Sequence, residues 1–321
     1  MNVYELKTPR ELLAGNSYAG RGIVIGKTPD GKKAAVAYFI MGRSANSRNR
    51  IFTEDGGTVY TRPFDESKVE DPSLIIYAAV RRMGGHLIVT NGDQTDTICE
   101  GLARGQSFEE ALESRCFEPD APNFTPRISG MVTFVGRDFR YEMSILKSAD
   151  AAGSACSRYH FCYPALPGVG HFLHTYVGDG NPLPTFQGEP ERMAIPQDID
   201  ELTQQLWESL NEENRISLYV RMVDLESGRT ERRLINKNAL GGARRGEYQG
   251  QLHLPPLHAL RKRRHAAYLL RKLQVPHVAA ALDRAGARRA GAGARHHGRA
   301  DRRDGSAQGR HRLRHSRSAR A

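Results

Sequence analysis

The stretch "RGIVIGKTPDGKKAAVAYFIM", from Arg21 to Met41, indicates how this chain folds. Two apolar, β-branched runs flank the segment TPDG (28–31), in which proline presets φ and glycine supplies a positive φ. The pattern predicts a β-hairpin. A second long hairpin is predicted in "PRISGMVTFVGRDFRYEMSIL" (126–146), with its turn at residues 136–138.

Helical patterns are fewer. "DPSLIIYAAVRRMGG" predicts a helix over 71–85, "SFEEALESR" a short helix opened by a capping box of Ser107 and Glu110, and "DIDELTQQLWESLNEEN" an amphipathic helix capped by Asp198. "HLIVT" and "RISLYVRMVD" predict strands, and the second is expected to close the body. Long hairpins with few helices lack the regular βαβ rhythm, so the expected class is α+β, with helices packed outside antiparallel sheets.

The charge of the chain is divided unevenly between two parts. The whole carries a net charge of +11, yet residues 241–321 contain 18 Arg and 2 Lys against 4 acidic residues, a net of +16. The preceding 240 residues hold 27 basic and 32 acidic groups, a net of −5. This asymmetry predicts an acidic catalytic domain over 1–238 and a separate basic tail over 239–321.

The tail is predicted to be disordered, because residues 241–321 contain no Phe, Trp, Ile, Met, Cys, Asn or Thr and cannot bury enough apolar surface to offset the entropy of ordering. Three interpretations stay open: an appendage without specific function, an Arg-rich arm that binds nucleic acid, and a frameshift product beginning near Asn238. Wrong-frame GC-rich DNA encodes Arg, Ala, Gly and His, which favours the frameshift. The scarcity of aromatic residues for stacking disfavours the nucleic-acid arm.

Several classes of protein are excluded by what the sequence lacks. Its four cysteines form no CxxC pair and no metal-ligand spacing, and no Gly-rich phosphate-binding motif is present. No signal peptide opens the chain, and no run approaches the roughly 18 apolar residues that cross a bilayer. We therefore expect a soluble cytoplasmic protein with no metal, no cofactor and no membrane partner.

Four polar segments are candidates for a functional site. They are "GRSANSRNR" (42–50), Tyr77 within an apolar run, "LIVTNGDQTDT" (87–97) and "FEPDAPNFTPRISG" (117–130). Guanidinium groups beside small amides suit a phosphate or a planar amide, and a proline-stiffened loop carries two carboxylates. His171 and His174 further along are candidate acid–base groups. Each segment also has a structural interpretation: a turn, a core tyrosine, a helix cap or a strand entry.

The order and wording of "GRSANSRNR", "DPSLIIYAAVR", "IVTNGDQTDTI" and "APNFTPRI" resemble the archaeal-type inosine monophosphate (IMP) cyclohydrolase family over roughly residues 18–235. The resemblance implies a four-layer αββα sandwich similar to the N-terminal-nucleophile hydrolases. It leaves the basic tail without a counterpart. The chain opens Met-Asn, so no Cys, Ser or Thr is available as a free N-terminal nucleophile, and covalent catalysis is not expected.

The implied reaction is the last step of de novo purine synthesis, in which 5-formamidoimidazole-4-carboxamide ribotide loses water and closes to IMP. Such an enzyme needs no cofactor, and its partner is a small purine ribotide; the oligomeric state, including a homo-oligomer, stays open. The resemblance implies that Arg43 contacts the phosphate or carboxamide and that Tyr77 serves the formyl oxygen or shuttles a proton. Asp120 and Glu118 compete for one carboxylate role. The expected substrate-binding residues are Asn46, Asn91, Asp93, Thr95, Asp96, Asn123 and Arg127.

Two alternatives belong to other classes. One is an amidohydrolase that uses the same fold to cleave a non-peptide amide, for which a processed N-terminal Cys, Ser or Thr would be the sign. The other is a nucleic-acid-binding protein whose affinity resides in the tail. Binding of that kind weakens steeply with salt and disappears when residues 241–321 are deleted.

Overall fold

The computed structural model describes residues 2–69 and 76–239. Within these ranges the chain forms five α-helices: α1 (Pro9–Leu13), α2 (Ala45–Arg48), α3 (Gln94–Ala103), α4 (Phe108–Leu112) and α5 (Ile199–Ser209). The strands of the same ranges are β1 (Arg21–Lys27), β2 (Lys33–Met41), β3 (Ile51–Asp55), β4 (Thr58–Arg62), β5 (Tyr77–Met83), β6 (His86–Thr90), β7 (Arg127–Val135), β8 (Asp138–Ser148), β9 (Cys156–Pro164), β10 (Val169–His174), β11 (Glu191–Ala194), β12 (Arg215–Asp224) and β13 (Thr230–Asn236).

The strands form two antiparallel sheets. Sheet A has six strands in the order β11-β10-β1-β2-β12-β13. Sheet B has seven strands, β3 to β9 in sequence order, so it is a meander of successive hairpins. The predicted mixed class with antiparallel sheets and external helices is confirmed, and both long hairpins lie where the sequence predicted them.

The β1–β2 hairpin lies at the centre of sheet A. Its turn forms as expected: Gly31 has φ +73°, and its amide donates to the Thr28 carbonyl at 2.9 Å. The Asp30 carboxylate accepts from the Lys32 amide at 2.9 Å. Nearly every residue of both strands is buried, because another layer of the protein covers each face.

Three apolar clusters define the layers. The largest lies between the sheets and includes Ile23 and Tyr38 from sheet A with Val80 and Tyr141 from sheet B. A second cluster joins α1 and α5 to the other face of sheet A. A third joins α3 and α4 to the other face of sheet B. The described residues therefore stack as helices, sheet, sheet and helices.

Helix α5 forms where the amphipathic pattern of the sequence predicted it. The Asp198 carboxylate accepts from the amides of Asp200 at 2.7 Å and Glu201 at 3.2 Å, which confirms the predicted cap. The apolar face of the helix is buried, and it consists of Ile199, Leu202, Leu206 and Leu210. The capping box of Ser107 and Glu110 at the start of α4 is confirmed as well.

The helix predicted over 71–85 is wrong from Tyr77 onward. Residues 70–75 lie outside the described residues, and Tyr77–Met83 form strand β5, with Gly84 and Gly85 in the turn to β6. The first four residues of β5 are buried because sheet A covers one face and the α3 layer the other. A continuous apolar run of that kind does not distinguish a buried strand from a buried helix.

Strand β12 does not close the body, because β13 pairs with its far side as an edge strand. β13 reads "TERRLIN" and is only partly buried, so it lacks the apolar run that marks a central strand. The predicted tail beyond Ala239 lies outside the described residues. Among the residues described, no helix combines the length and apolar character required to cross a membrane.

Candidate functional site

Two buried arginines lie at one end of the space between the sheets. Arg21 opens β1 and pairs with Ile40 of β2, so its side chain faces sheet B as that isoleucine does. Arg50 immediately precedes β3. The pKa of Arg50 is lowered by burial and then by the charge of Arg21, so the two guanidinium groups lie near enough for their charges to interact.

These two guanidinium groups have unused hydrogen-bonding capacity. Arg21 is 7% exposed and Arg50 is 5% exposed. Nε of Arg21 and both Nε and Nη1 of Arg50 are buried without a hydrogen-bond partner. Neither side chain forms an ion pair with a described residue. Because a buried charge is costly unless it is paired, this arrangement indicates a binding site for an anionic ligand.

A pair of tyrosines lies beside the arginines. The hydroxyl groups of Tyr38 on β2 and Tyr77 on β5 are 2.9 Å apart, and both side chains are buried in the inter-sheet core. Both phenols lie close enough to Arg21 to interact with its charge. Burial, followed by the neighbouring Tyr77, raises the pKa of Tyr38 well above its ordinary value, so that phenol is neutral.

Glu118 brings a carboxylate to the same place. Its amide donates to the Thr125 carbonyl at 2.9 Å, whereas the carboxylate of this half-buried residue makes no hydrogen bond to a described residue. Burial raises the pKa of Glu118 above the ordinary glutamate value, against the opposing charges of Arg21 and Arg127. A half-buried carboxylate with free lone pairs and a raised pKa can accept a proton from a ligand.

Asp120, the rival carboxylate, is committed to the shape of its own loop. It accepts from the Thr125 amide at 2.6 Å and also from the Thr125 hydroxyl. That hydroxyl lies 2.6 Å from the hydroxyl of Tyr176. Asn123 in the same loop accepts from the Leu183 amide at 3.0 Å. Asp120 and Asn123 therefore hold the loop that carries Glu118.

Arg43 and Asn46 lie in the segment after β2. The Arg43 guanidinium pairs with Asp179, donates to the Gly180 carbonyl at 2.8 Å, and stacks 5.6 Å from the centre of the Tyr18 ring. Asn46 lies in α2, and its Oδ1 is buried without a hydrogen-bond partner. Arg43 is thus engaged by protein, and Asn46 keeps a free acceptor.

The residues predicted after β6 meet on the side of sheet B that α3 covers. Asn91 donates to the Pro126 carbonyl at 2.8 Å and accepts from the Ile128 amide at 2.9 Å. The hydroxyl groups of Thr95 and Thr90 are 2.6 Å apart. These hydrogen bonds hold the segment before α3 against the start of β7, and the start of α3 against the end of β6.

Three charged residues complete this second group. Asp93 pairs with Arg115 and with Arg127, the latter at 2.9 Å, and Asp96 pairs with Arg81. The structure therefore brings Asn91, Thr95, Asp93, Asp96 and Arg127 together through contacts with protein groups. Glu118 interacts with the charges of both Arg21 and Arg127, so it lies near both groups of residues.

His171 and His174 have structural surroundings. Nδ1 of His171 lies 2.6 Å from the Tyr141 hydroxyl, its ring stacks on Tyr163 at 3.6 Å, and burial lowers its pKa to about 4. Nδ1 of His174 lies 2.7 Å from the Tyr176 carbonyl oxygen, and its Nε2 lies 3.1 Å from a carboxylate oxygen of Glu191. Within residues 2–69 and 76–239, no three His, Cys, Asp or Glu side chains are grouped to hold a metal ion.

The sequence prediction missed Arg21 as a site residue, and it placed Arg50 in the candidate segment 42–50 without naming it as a binding residue. A signal for Arg21 was present: Arg21, Ile23 and Ile25 alternate on one face of a strand, and the two isoleucines point to the core. A charged residue in register with core positions is expected to have a buried partner or a ligand. The segment 42–50 contains three arginines, and the sequence does not show that Arg50 is the buried one, because its burial depends on packing between distant segments.

Paired guanidiniums, an unbonded carboxylate and a phenol at the edge of a two-sheet sandwich are typical of an enzyme that acts on a small anionic molecule. Residues 18–228 match the family described as IMP cyclohydrolase-like protein. The chain belongs to this family.

Named relatives agree with that assignment. The IMP cyclohydrolase of Methanopyrus kandleri is 35% identical over 152 residues, which cover 44% of this chain and 75% of that protein. The IMP cyclohydrolase of Methanococcus aeolicus is 32% identical over 116 residues, covering 35% of this chain and 56% of its own length. The IMP cyclohydrolase of Halobacterium salinarum is 33% identical over 119 residues, covering 36% and 57%. The chain thus spans only somewhat over half the length of the last two relatives.

Proposed function

We propose that this protein is an IMP cyclohydrolase, which closes 5-formamidoimidazole-4-carboxamide ribotide to IMP with loss of water. Membership of the family and the names of the relatives support this reaction. The observation that carries the proposal is the pair of buried guanidinium groups, Arg21 and Arg50, which keep donors without partners and lie near enough to the Glu118 carboxylate and the Tyr77 phenol to interact with them. A ribotide offers an anionic phosphate and a ring whose closure requires proton transfers.

Arg21 and Arg50 hold the substrate through its anionic phosphate. A phosphate oxygen accepts well from guanidinium donors, and binding it would satisfy the orphan nitrogens of both side chains. Anchoring the phosphate fixes the imidazole, whose formamido and carboxamide groups then meet within one molecule. Proximity of this kind supplies much of the rate enhancement of a cyclisation.

Glu118 and Tyr77 supply the proton transfers. Glu118 removes a proton from the carboxamide nitrogen as that nitrogen forms a bond to the formyl carbon. Tyr77 gives its proton to the formyl oxygen, so the adduct carries a hydroxyl group rather than an alkoxide. Glu118 then returns its proton to the hydroxyl group, which leaves as water, and the remaining nitrogen-bound proton passes to the Tyr77 phenolate, so that the ring closes and both side chains regain their starting states.

The other predicted residues support this arrangement from a distance. Asp120 and Asn123 shape the loop that carries Glu118, and Arg43 fixes the Asp179 segment. Asn46 keeps a free amide oxygen for a ligand donor. A role in lining the ribotide pocket remains a proposal for Asn91, Asp93, Thr95, Asp96 and Arg127. The likeness to the N-terminal-nucleophile hydrolase fold and the cytoplasmic location belong to the same proposal.

The test is a cyclisation assay with the full chain. Chemically formylated ribotide is added in EDTA without any cofactor, and IMP formation is followed by absorbance. The wild type is expected to turn over, and Tyr77→Phe is expected to lose activity by about 100-fold while still folding. A well-folded wild-type protein without turnover would refute the proposal. Release of formate from the substrate instead would identify the amidohydrolase alternative.

A further inference from the structure

Tyr38 makes its only side-chain hydrogen bond, among the residues described, with the hydroxyl of Tyr77. Its side chain is fully buried, and its ring packs 5.5 Å from that of Phe52 at 34°. No atom of Tyr38 reaches the surface, so it does not contact a bound substrate directly. Any effect of its hydroxyl on the reaction passes through Tyr77.

The burial of Tyr38 determines which phenol donates. Burial raises the pKa of Tyr38 well above its ordinary value, although the charges of Arg21 and Arg50 oppose this effect, so the phenol keeps its proton. That proton has one acceptor in the described part of the protein, the oxygen of Tyr77. If Tyr77 donated instead, the donor of the fully buried Tyr38 would be left unsatisfied, which native structures avoid, whereas the Tyr77 side chain is 4% exposed and its proton can be given to a ligand.

We propose that Tyr38 is a positioning residue that donates to the oxygen of Tyr77 and thereby leaves the Tyr77 proton directed at the substrate. The donated bond occupies one lone pair of Tyr77 and fixes the rotation of its hydroxyl group. It also stabilises the negative charge that develops on Tyr77 when its proton moves to the formyl oxygen. This inference rests on the proposed function, in which Tyr77 is the proton donor.

The experiment compares kinetics of the full-chain wild type with Tyr38→Phe, Tyr77→Phe and the double variant. Tyr38→Phe keeps the ring and removes only the hydroxyl. We expect kcat to fall about 10-fold with KM within about twofold, the size of losing one hydrogen bond that acts mainly in the transition state. The double variant is expected to match Tyr77→Phe alone, because Tyr38 has nothing to position once the Tyr77 hydroxyl is absent.

Tyr141→Phe is the matched control. Tyr141 lies in the same inter-sheet core. Its replacement by phenylalanine removes a comparable buried hydrogen bond, the 2.6 Å contact between the Tyr141 hydroxyl and Nδ1 of His171. It is expected to retain wild-type kcat. The inference is overturned if Tyr38→Phe and Tyr141→Phe have equal kcat, or if the double variant is slower than Tyr77→Phe by the factor that Tyr38→Phe alone causes. Absence of turnover in the wild type would instead reject the proposed function itself.

Discussion

Replacing Arg50 with methionine separates the functional role of a buried charge from its effect on folding. The Arg50 side chain is 5% exposed, and its Nε and Nη1 are buried without partners. Methionine keeps the apolar stem and removes both orphan donors, together with the repulsion from Arg21. The variant is therefore expected to be more stable than the wild type without ligand, and to bind IMP poorly.

The magnitude follows from the two unsatisfied donors. Each buried donor without a partner costs about 1–3 kcal/mol, and replacing buried charges by apolar residues of similar volume stabilises proteins by about 1–4 kcal/mol. We expect Arg50→Met to gain about 2 kcal/mol in the free energy of unfolding. IMP at 100 times its Kd should stabilise the wild type by about 2.7 kcal/mol and add little to the variant.

Urea denaturation with and without IMP measures both quantities, and Arg221→Met is the matched control. Arg221 is as buried as Arg50, but its Nε donates to the Tyr219 hydroxyl at 2.8 Å and its Nη2 to the Gly57 carbonyl at 2.9 Å. Arg221→Met removes both hydrogen bonds, so it is expected to lower the free energy of unfolding by about 2 kcal/mol without changing IMP binding. If Arg50→Met is destabilised to the same degree and still binds IMP, the reasoning about unpaired guanidiniums is refuted.

The remaining predictions concern Glu118 and α5. Glu118→Gln is expected to lower kcat about 100-fold while IMP affinity, measured by calorimetry, changes less than threefold; equal kcat would rule out a base at this position. Because burial raises the pKa of Glu118, kcat of the wild type should fall as pH drops through that raised value in a pH–rate profile. The stability of the wild type relative to Glu118→Gln should decrease as pH rises through the same window, since the ionised form is disfavoured in the fold. Asp198→Ala removes the cap of α5 and should cost about 1 kcal/mol in urea denaturation with kcat unchanged.

Local turn chemistry and one-sided burial explain which elements were predictable. The TPDG turn and the α5 cap are each determined by a few neighbouring residues. Helix α5 has one solvent-exposed face, so its apolar residues recur with the helical period in the sequence. The first four residues of strand β5 are covered on both faces, so they form a continuous apolar run that is also typical of a helix. Strand β13 is an edge with charged residues, so its pattern was not recognised. Both errors of secondary-structure prediction arise because the position of the strand in the folded protein, rather than its local sequence preference, determines its pattern of apolar residues.

The site was predictable in part. Tyr77 and Glu118 were named from the resemblance of their segments to the family. Arg21 was not named, and Arg50 was named only as part of the segment 42–50, because the significance of the pair comes from lying near each other without an ion-pair partner, a property of packing between β1 and the segment before β3. The polar residues after β6, such as Asn91, were expected to face a ligand, and in the structure the side-chain amide of Asn91 forms hydrogen bonds with Pro126, with Ile128 of β7 and with Gln94 of α3.

The most direct measurement is a crystal structure of the full chain with IMP, because it decides which polar group binds the ribotide. The account predicts that the phosphate oxygens of IMP accept from the guanidinium groups of Arg21 and Arg50, with the purine ring near Tyr77 and Glu118. IMP bound instead among Asp93, Asp96 and Arg127, with Arg21 and Arg50 left unpaired, would contradict it.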